Sequence, residues 1–227
     1  MCDTGKVMVG RAVIRVAVVE DQPLYRQLLA TTLAAAPGID VVASAAGVAA
    51  ARSTVDACSC DVALLDIQLG DGSGIDLGAE LRAANPGIGI LLLSATDAMD
   101  ALLDLPRETS QGWGYLSKNS SLTLTTLLRG IEFAAEGRTV LDPELVARRR
   151  PRRGSGLARL SARQYEVLSL LAEGLSNAGI ASRLGLAPRS VDNHINAVYA
   201  ELGLASGGVL NPRVGAALRF LEESATS

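Results

Sequence analysis

Residues 62–74 read Val62-Ala63-Leu64-Leu65-Asp66-Ile67-Gln68-Leu69-Gly70-Asp71-Gly72-Ser73-Gly74. Four apolar residues close on a carboxylate, a glycine-rich turn follows, and a helix-length segment occupies 74–84. A short continuous apolar run bounded by turn residues predicts a strand buried on both faces, so the polar residue just beyond it lies at the rim of a sheet. The same grammar repeats on either side. Upstream, Ile14-Arg15-Val16-Ala17-Val18-Val19 and Val41-Val42-Ala43 are strand-like. Downstream, so are Ile88-Gly89-Ile90-Leu91-Leu92-Leu93 and Gly114-Tyr115-Leu116. Helical patterns fill 22–35, 47–57, 74–84, 97–105 and 120–136. The last places Leu124, Leu127, Leu128, Ile131 and Ala135 on one face. Five alternations of strand and helix predict an α/β domain with a doubly wound parallel sheet, flavodoxin-like, with ligand chemistry beyond the carboxyl ends of its strands.

The chain's 227 residues, 48% of them hydrophobic and 20% charged, are enough for two small domains with cores of their own and exclude a disordered or collagen-like chain. The odd cysteine count and the Cys58-Ser59-Cys60 spacing match neither a zinc pair nor a redox motif, so Cys2, Cys58 and Cys60 are expected to be inert thiols. No apolar run approaches a membrane span, and Met1 to Arg11 lacks a signal-peptide core, which places the chain in the cytoplasm with no membrane partner. The net charge of −3 conceals an uneven distribution. Residues 13–140 carry eight basic and fifteen acidic groups, 141–156 five and two, and 157–227 six of each. The run Arg148-Arg149-Arg150-Pro151-Arg152-Arg153-Gly154-Ser155-Gly156 reads as an exposed linker. The division is thus 13–137, a linker over 138–156, and 157–227.

The strand ends of the first domain carry Glu20 and Asp21, then Asp66, then Ser94, and Lys118 follows the fifth strand. Carboxylates gathered on one rim repel one another unless a cation offsets them, and hard oxygen ligands suit Mg²⁺. A Mg²⁺ site beside a lysine and a hydroxyl is equipped for phosphoryl transfer to a carboxylate, with Asp66 as the acceptor. Four motifs, V-V-E-D-Q-P (18–23), L-L-D-I-Q-L-G-D-G-S-G (64–74), L-L-L-S-A (91–95) and G-Y-L-S-K (114–118), give residues 13–136 a resemblance to the receiver domain of two-component response regulators. The resemblance implies that Asp66 takes phosphate from a histidine kinase. By the same resemblance Asp21 binds Mg²⁺ directly, Glu20 acts through water and the Gln68 carbonyl also ligates. It further implies that Ser94 and Lys118 hold the phosphoryl oxygens and that Tyr115 is the switch aromatic. Two departures stand out: Leu69-Gly70 replaces the family's common Met-Pro, and the stretch from Ser94 to Lys118 is long and contains Pro106, which ends a fourth helix near Leu105.

After the linker the strand pattern disappears. Ser161 caps a helix that stops at Gly174, Ser176 caps a second, and Gly185-Leu186-Ala187-Pro188 turns into a third. In the third, Val191, Ile195, Val198 and Leu202 share an inner face, leaving Arg189, Asp192, Asn193, Asn196 and Ala200 outward. Two short helices joined by a tight turn, the second with an amide-rich outer face, predict a helix-turn-helix. The motifs L-S-A-R-Q-Y-E-V-L, G-L-S-N-A-G-I-A and R-S-V-D-N-H-I make residues 159–204 similar to the LuxR-type DNA-binding domain, and the whole chain similar to the NarL/FixJ class of transcriptional regulators. That resemblance implies double-stranded DNA as partner and a homodimer on activation. Asp192, Asn193 and Asn196 would then face bases, with Arg189, Ser190 and His194 nearer phosphates. The third helix departs from the family in having no lysine or arginine from Ser190 to Leu204, so a single domain is expected to grip DNA weakly. The arginines of 148–153 have three readings: reaching the DNA backbone, solvating the linker, or resting on the acidic first domain. Two other functional readings stay open. One is a phosphorylation-independent DNA-binding regulator whose first domain only dimerises or binds protein. The other is an Asp-nucleophile phosphatase, against which Asp66-Ile67-Gln68 lacks the second carboxylate of D-x-D.

Overall fold

A computed structural model describes residues 13–105, 111–119, 123–204 and 211–226. The first half alternates β1 (Ile14–Val19), α1 (Pro23–Ala34), β2 (Ile39–Ala45), α2 (Val48–Thr54), β3 (Val62–Asp66), a two-residue hairpin β4 (Gln68–Leu69) and β5 (Gly72–Ser73), α3 (Gly74–Ala84), β6 (Gly89–Ser94), β7 (Trp113–Ser117) and α4 (Leu124–Ala135). The second half runs α5 (Pro143–Arg148), β8 (Arg149–Pro151), α6 (Ala162–Ala172), α7 (Asn177–Leu184), α8 (Pro188–Glu201), α9 (Pro212–Glu223) and β9 (Ser224–Thr226). The five main strands pair in the order β2-β1-β3-β6-β7, all parallel, as the repeated alternation predicts. Burial follows position. Every residue of β3, β6 and β7 is buried, whereas edge strand β2 alternates, as a strand with one face less covered must.

Leu29 and Leu33 of α1 and Leu127 and Ile131 of α4 pack on one face of the sheet. Val48 and Ala51 of α2 and Leu77 and Leu81 of α3 pack on the other. This second core runs on through Leu141, Leu145 and Leu157 into Val167, Ile195 and Phe220, so the two halves share apolar packing. Because β1 and β3 are neighbours while their connections leave in opposite directions, the crevice at their carboxyl ends is where the order of winding reverses. The loops bearing Glu20, Asp21 and Asp66 open there.

Three expectations differ from the structure, and one helix has no counterpart among them. Residues 97–105 do not form an α-helix; Met99–Asp104 is a 3-10 helix, the tighter form used in short pieces, and the amide of Ala98 just before it donates to the Tyr115 hydroxyl at 3.0 Å. Pro106 lies outside the described residues. The 138–156 segment is not a bare exposed linker: Asp142 caps α5, Leu145 and Val146 are buried, and Arg149–Pro151 pairs antiparallel with Ser224–Thr226. The terminal helix α9, with Phe220 and Leu221 buried, was not anticipated. Among the cysteines, Cys60 is a buried free thiol as expected, but Cys58 is disulfide-bonded, and Cys2 lies outside the described residues. Among the described residues, no helix is long and apolar enough to cross a membrane.

Candidate functional site

Each residue of the rim owes its place to the strand before it. β1 delivers Glu20 and Asp21, β3 ends in Asp66, β6 ends in Ser94, and Lys118 follows β7. The chain turns sharply out of β3: a Cβ at Gly74 would fall 1.9 Å from the Asp66 carbonyl oxygen, so only glycine lets α3 start so close. Ser73 then caps α3 through the amides of Ile75 and Asp76.

One carboxylate oxygen each from Glu20, Asp21 and Asp66 lies within 4.8 Å of the others, the grouping expected for a divalent cation. Lys118 Nζ donates to Glu20 Oε2 at 2.6 Å and to Asp66 Oδ2 at 2.8 Å. Burial pulls the ammonium down, but these two carboxylates outweigh it and hold its pKa above the ordinary lysine value. Burial pushes the Glu20 carboxyl up, with Lys118 opposing. The other Asp66 oxygen, Oδ1, accepts from the Gln68 amide at 3.1 Å, which leaves the Gln68 carbonyl on the same turn. The set therefore suits Mg²⁺, with three carboxylates, a turn carbonyl and one lysine that keeps the charges from repelling.

Ser94 is buried beside this group, but its hydroxyl pairs with Thr96 Oγ1 at 3.3 Å and accepts from the Thr96 amide at 3.2 Å. Tyr115 is fully buried, donating to the Thr96 carbonyl and accepting from the Ala98 amide. The five rim residues are thus neighbours, and the serine and tyrosine hydroxyls converge on Thr96. The sequence did not single out Thr96, nor Arg26, whose Nη1 donates to the Glu20 carbonyl at 2.6 Å, nor Tyr25, whose ring centroid lies 4.8 Å from Lys118 Nζ. None of the three stands directly at a strand end, where an apolar run would point to it.

In the second half, Ser161 and Gln164 form a reciprocal capping box on α6, Ser176 caps α7, and Gly185 at φ +63° turns the chain toward α8. Val191, Ile195 and Val198 are buried, and Arg189, Asp192, Asn193 and Asn196 are exposed, as the periodicity predicts. Ser190 and His194 are partly exposed.

Residues 16–128 match the response regulator receiver domain, and residues 158–210 match the bacterial regulatory proteins of the luxR family. The chain is 33% identical over 197 residues to the DNA-binding transcriptional activator DevR/DosR of Mycobacterium tuberculosis, covering 84% of this chain and 89% of that protein. The chain is a two-component response regulator with a LuxR-type DNA-binding domain. The nitrate/nitrite response regulator protein NarP of Escherichia coli is 32% identical over 217 residues, covering 92% of this regulator and 95% of NarP. Among solved structures, the response regulator ChrA of a heme-sensing two-component system matches with 28% identity and a TM-score of 0.47, covering 92% of this regulator and 96% of that chain. The curated relatives are regulators of transcription rather than enzymes, which sets the phosphatase reading aside.

The regulator's basic segment takes the third of its three readings at one residue. Arg149 is buried: its Nη2 reaches Asp100 Oδ1 of the 3-10 helix at 2.6 Å, its Nη1 reaches the Leu221 carbonyl at 3.3 Å, and its own carbonyl accepts from the Tyr165 hydroxyl at 3.0 Å. Arg152 Nε donates to the Ser224 carbonyl at 3.0 Å. Arg149 thus joins the receiver to the DNA-binding domain, while Arg152 fastens the segment to the end of α9 and β9.

Proposed function

We propose that Asp66 is the phosphoacceptor through which a histidine kinase controls DNA binding by this regulator, within the boundaries 13–137 for the receiver and 157–227 for the DNA-binding domain. The Lys118 bridge between Glu20 and Asp66 carries this reading, because it holds the Asp66 side chain in place while leaving the carboxylates available to a cation. An Asp66 oxygen attacks the phosphorus of a phosphohistidine; the P–O bond forms, the P–N bond breaks, and the imidazole leaves as the kinase's histidine. Glu20, Asp21, Asp66 and the Gln68 carbonyl would hold Mg²⁺, which when bound supplies neutralisation of charge building up on the phosphoryl oxygens. Lys118 then donates to a phosphoryl oxygen, and Ser94 exchanges its bond with Thr96 for a bond to another.

Freed from Ser94, Thr96 re-pairs, and the Tyr115 hydroxyl bonds both Thr96 and Ala98, four and two residues before Asp100, so the change reaches the Arg149 contact. Release of the DNA-binding domain permits pairing of two regulators on adjacent half-sites, which offsets the lack of basic residues on α8 beyond Arg189. In the bound form α8 enters the major groove, with Asp192, Asn193 and Asn196 toward bases and Arg189, Ser190 and His194 toward phosphates. The protein acts in the cytoplasm, where the DNA is.

Incubation with acetyl phosphate and Mg²⁺, followed by intact-mass measurement, is expected to add one phosphoryl group to the wild type and none to Asp66→Asn. DNA affinity should rise only in the former. Phosphorylation without any change in affinity, with Asp66→Ala binding as the wild type does, would assign the receiver to constitutive docking instead.

A further inference from the structure

Asp192 is an awkward residue for a DNA-facing helix. It is exposed on α8, and no lysine or arginine lies between Ser190 and Leu204 to offset it. A free carboxylate there is repelled by the phosphates and weakens binding to every sequence. It becomes useful only where it meets a hydrogen-bond donor, and the donors exposed in the major groove are the exocyclic amino groups of cytosine and adenine.

The structure surrounds this carboxylate with a chain of bonds from two other helices. Asn177, the first residue of α7, donates from Nδ2 to Asp192 Oδ1 at 2.8 Å. Arg213 of α9 donates from Nη1 to Asn177 Oδ1 at 2.9 Å, and its Nη2 donates to the Leu175 carbonyl. A guanidinium only donates, so the Asn177 amide has one orientation: oxygen toward Arg213 and nitrogen toward Asp192. With Oδ1 held, Asp192 Oδ2 has no hydrogen-bond partner among the described residues and presents a single fixed acceptor. Burial also pulls the Arg213 pKa down, as expected for a side chain built into the domain rather than extended to solvent.

We propose that Asn177 is a positioning residue, backed by Arg213, that aims Asp192 at the amino group of one cytosine or adenine in each half-site. The inference rests on the reading that α8 enters the major groove and deepens it by naming a specificity determinant. A simple staple between α7 and α8 would use the same bonds but would affect the stability of the domain, not the choice of base.

The test is selection from a randomised DNA duplex pool by the full-length protein with acetyl phosphate and Mg²⁺, with thermal unfolding of each variant measured alongside. Asn177→Asp keeps the acceptor for Arg213 and removes the donor to Asp192. It is expected to cut the preference at one base pair per half-site by about tenfold, leaving the other positions as in the wild type. Asp192→Ala should lose the preference at that same position. Combining Asn177→Asp with Asp192→Asn reverses the direction of the bond and again leaves an acceptor oxygen outward, so the preference should return. Uniform weakening on all sequences by Asn177→Asp, loss at different positions in the two single variants, or no recovery in the double variant would each overturn the proposal. A wild-type protein that enriches no motif would overturn the DNA reading itself, and the proposal with it.

Discussion

Arg149 Nη2 and Asp100 Oδ1 lie 2.6 Å apart, joining a side chain that is 3% exposed to one that is 62% exposed. The aspartate end is largely solvated, so the pair alone contributes little; the arginine end is committed, because its charge has left water for this carboxylate and the acceptors of Leu221 and Ser224. Asp100→Ala leaves that guanidinium with neutral acceptors only. The variant is expected to weaken the contact between receiver and DNA-binding domain, with trypsin cleaving the Arg153–Gly154 bond about fivefold faster. Unchanged cleavage would mean that the shared apolar packing alone sets the closed arrangement.

Lys118 offers a test of the rim. Lys118→Ala leaves Glu20 and Asp66 facing one another with nothing between them, so a bound cation must take over more of the neutralisation. The thermal stabilisation given by Mg²⁺ should be larger in the variant than in the wild type. Phosphorylation by acetyl phosphate should fall about 100-fold, since a donor aimed at the transferring group is gone. The opposite signs of the two effects separate a local electrostatic role from general damage.

The sheet and its rim were legible because the central strands are built on short apolar runs and the functional residues stand at the ends of β1, β3, β6 and β7. Residues 62–66 show both signals in five positions. The inner face of α8 was legible for the same reason, its period being visible in Val191, Ile195 and Val198. What escaped is carried by side chains meeting across long separations. Arg149 with Asp100, Tyr165 with the Arg149 carbonyl, and Arg213 with Asn177 leave no local pattern. The run of arginines misled in a related way: like charges and a proline do favour exposure, but Leu145 and Val146 just before them anchor the segment, and β9 supplies a partner for β8. Residues 99–104 carry an apolar pattern that fits a helix, yet they close only a 3-10 helix, tied at its start to the distant Tyr115 hydroxyl.

Arg82 is a buried charge without a carboxylate partner among the described residues. Only 8% of the residue is exposed, Nη1 donates to the Pro86 carbonyl at 3.0 Å, and Nε and Nη2 have no partner among the described residues. Burial pulls its pKa down to about 10. The native state holds this proton less tightly than the unfolded chain. The cost to folding is therefore fully present below pH 10 and is relieved as the pH rises through it. Arg82→Met, of similar length, should stabilise the protein at neutral pH by about 1–2 kcal/mol, raising Tm by about 2–8 °C. Urea unfolding at neutral pH and again above about pH 10 should show the advantage shrinking at the higher value.

Glu173 makes the converse case in acid. It closes α6 and lines a cleft with Leu116, Arg129 and Phe133 of the receiver. Burial pushes its carboxyl above the ordinary glutamate range, and Arg183 and Arg129 oppose the shift without cancelling it. Its place at a helix carboxyl end, where unpaired carbonyls point, adds to the disfavour of the charged form. With the native pKa raised, folding is penalised at every pH above that value, and the penalty fades as the pH falls toward the unfolded glutamate value, where both states are protonated. Glu173→Gln keeps the shape and removes the titration. The variant should melt at a higher temperature than the wild type at neutral pH, and the two should converge as the pH falls through that window. A difference in Tm that stays constant with pH would show that packing in the cleft, and not the buried charge, distinguishes the two side chains.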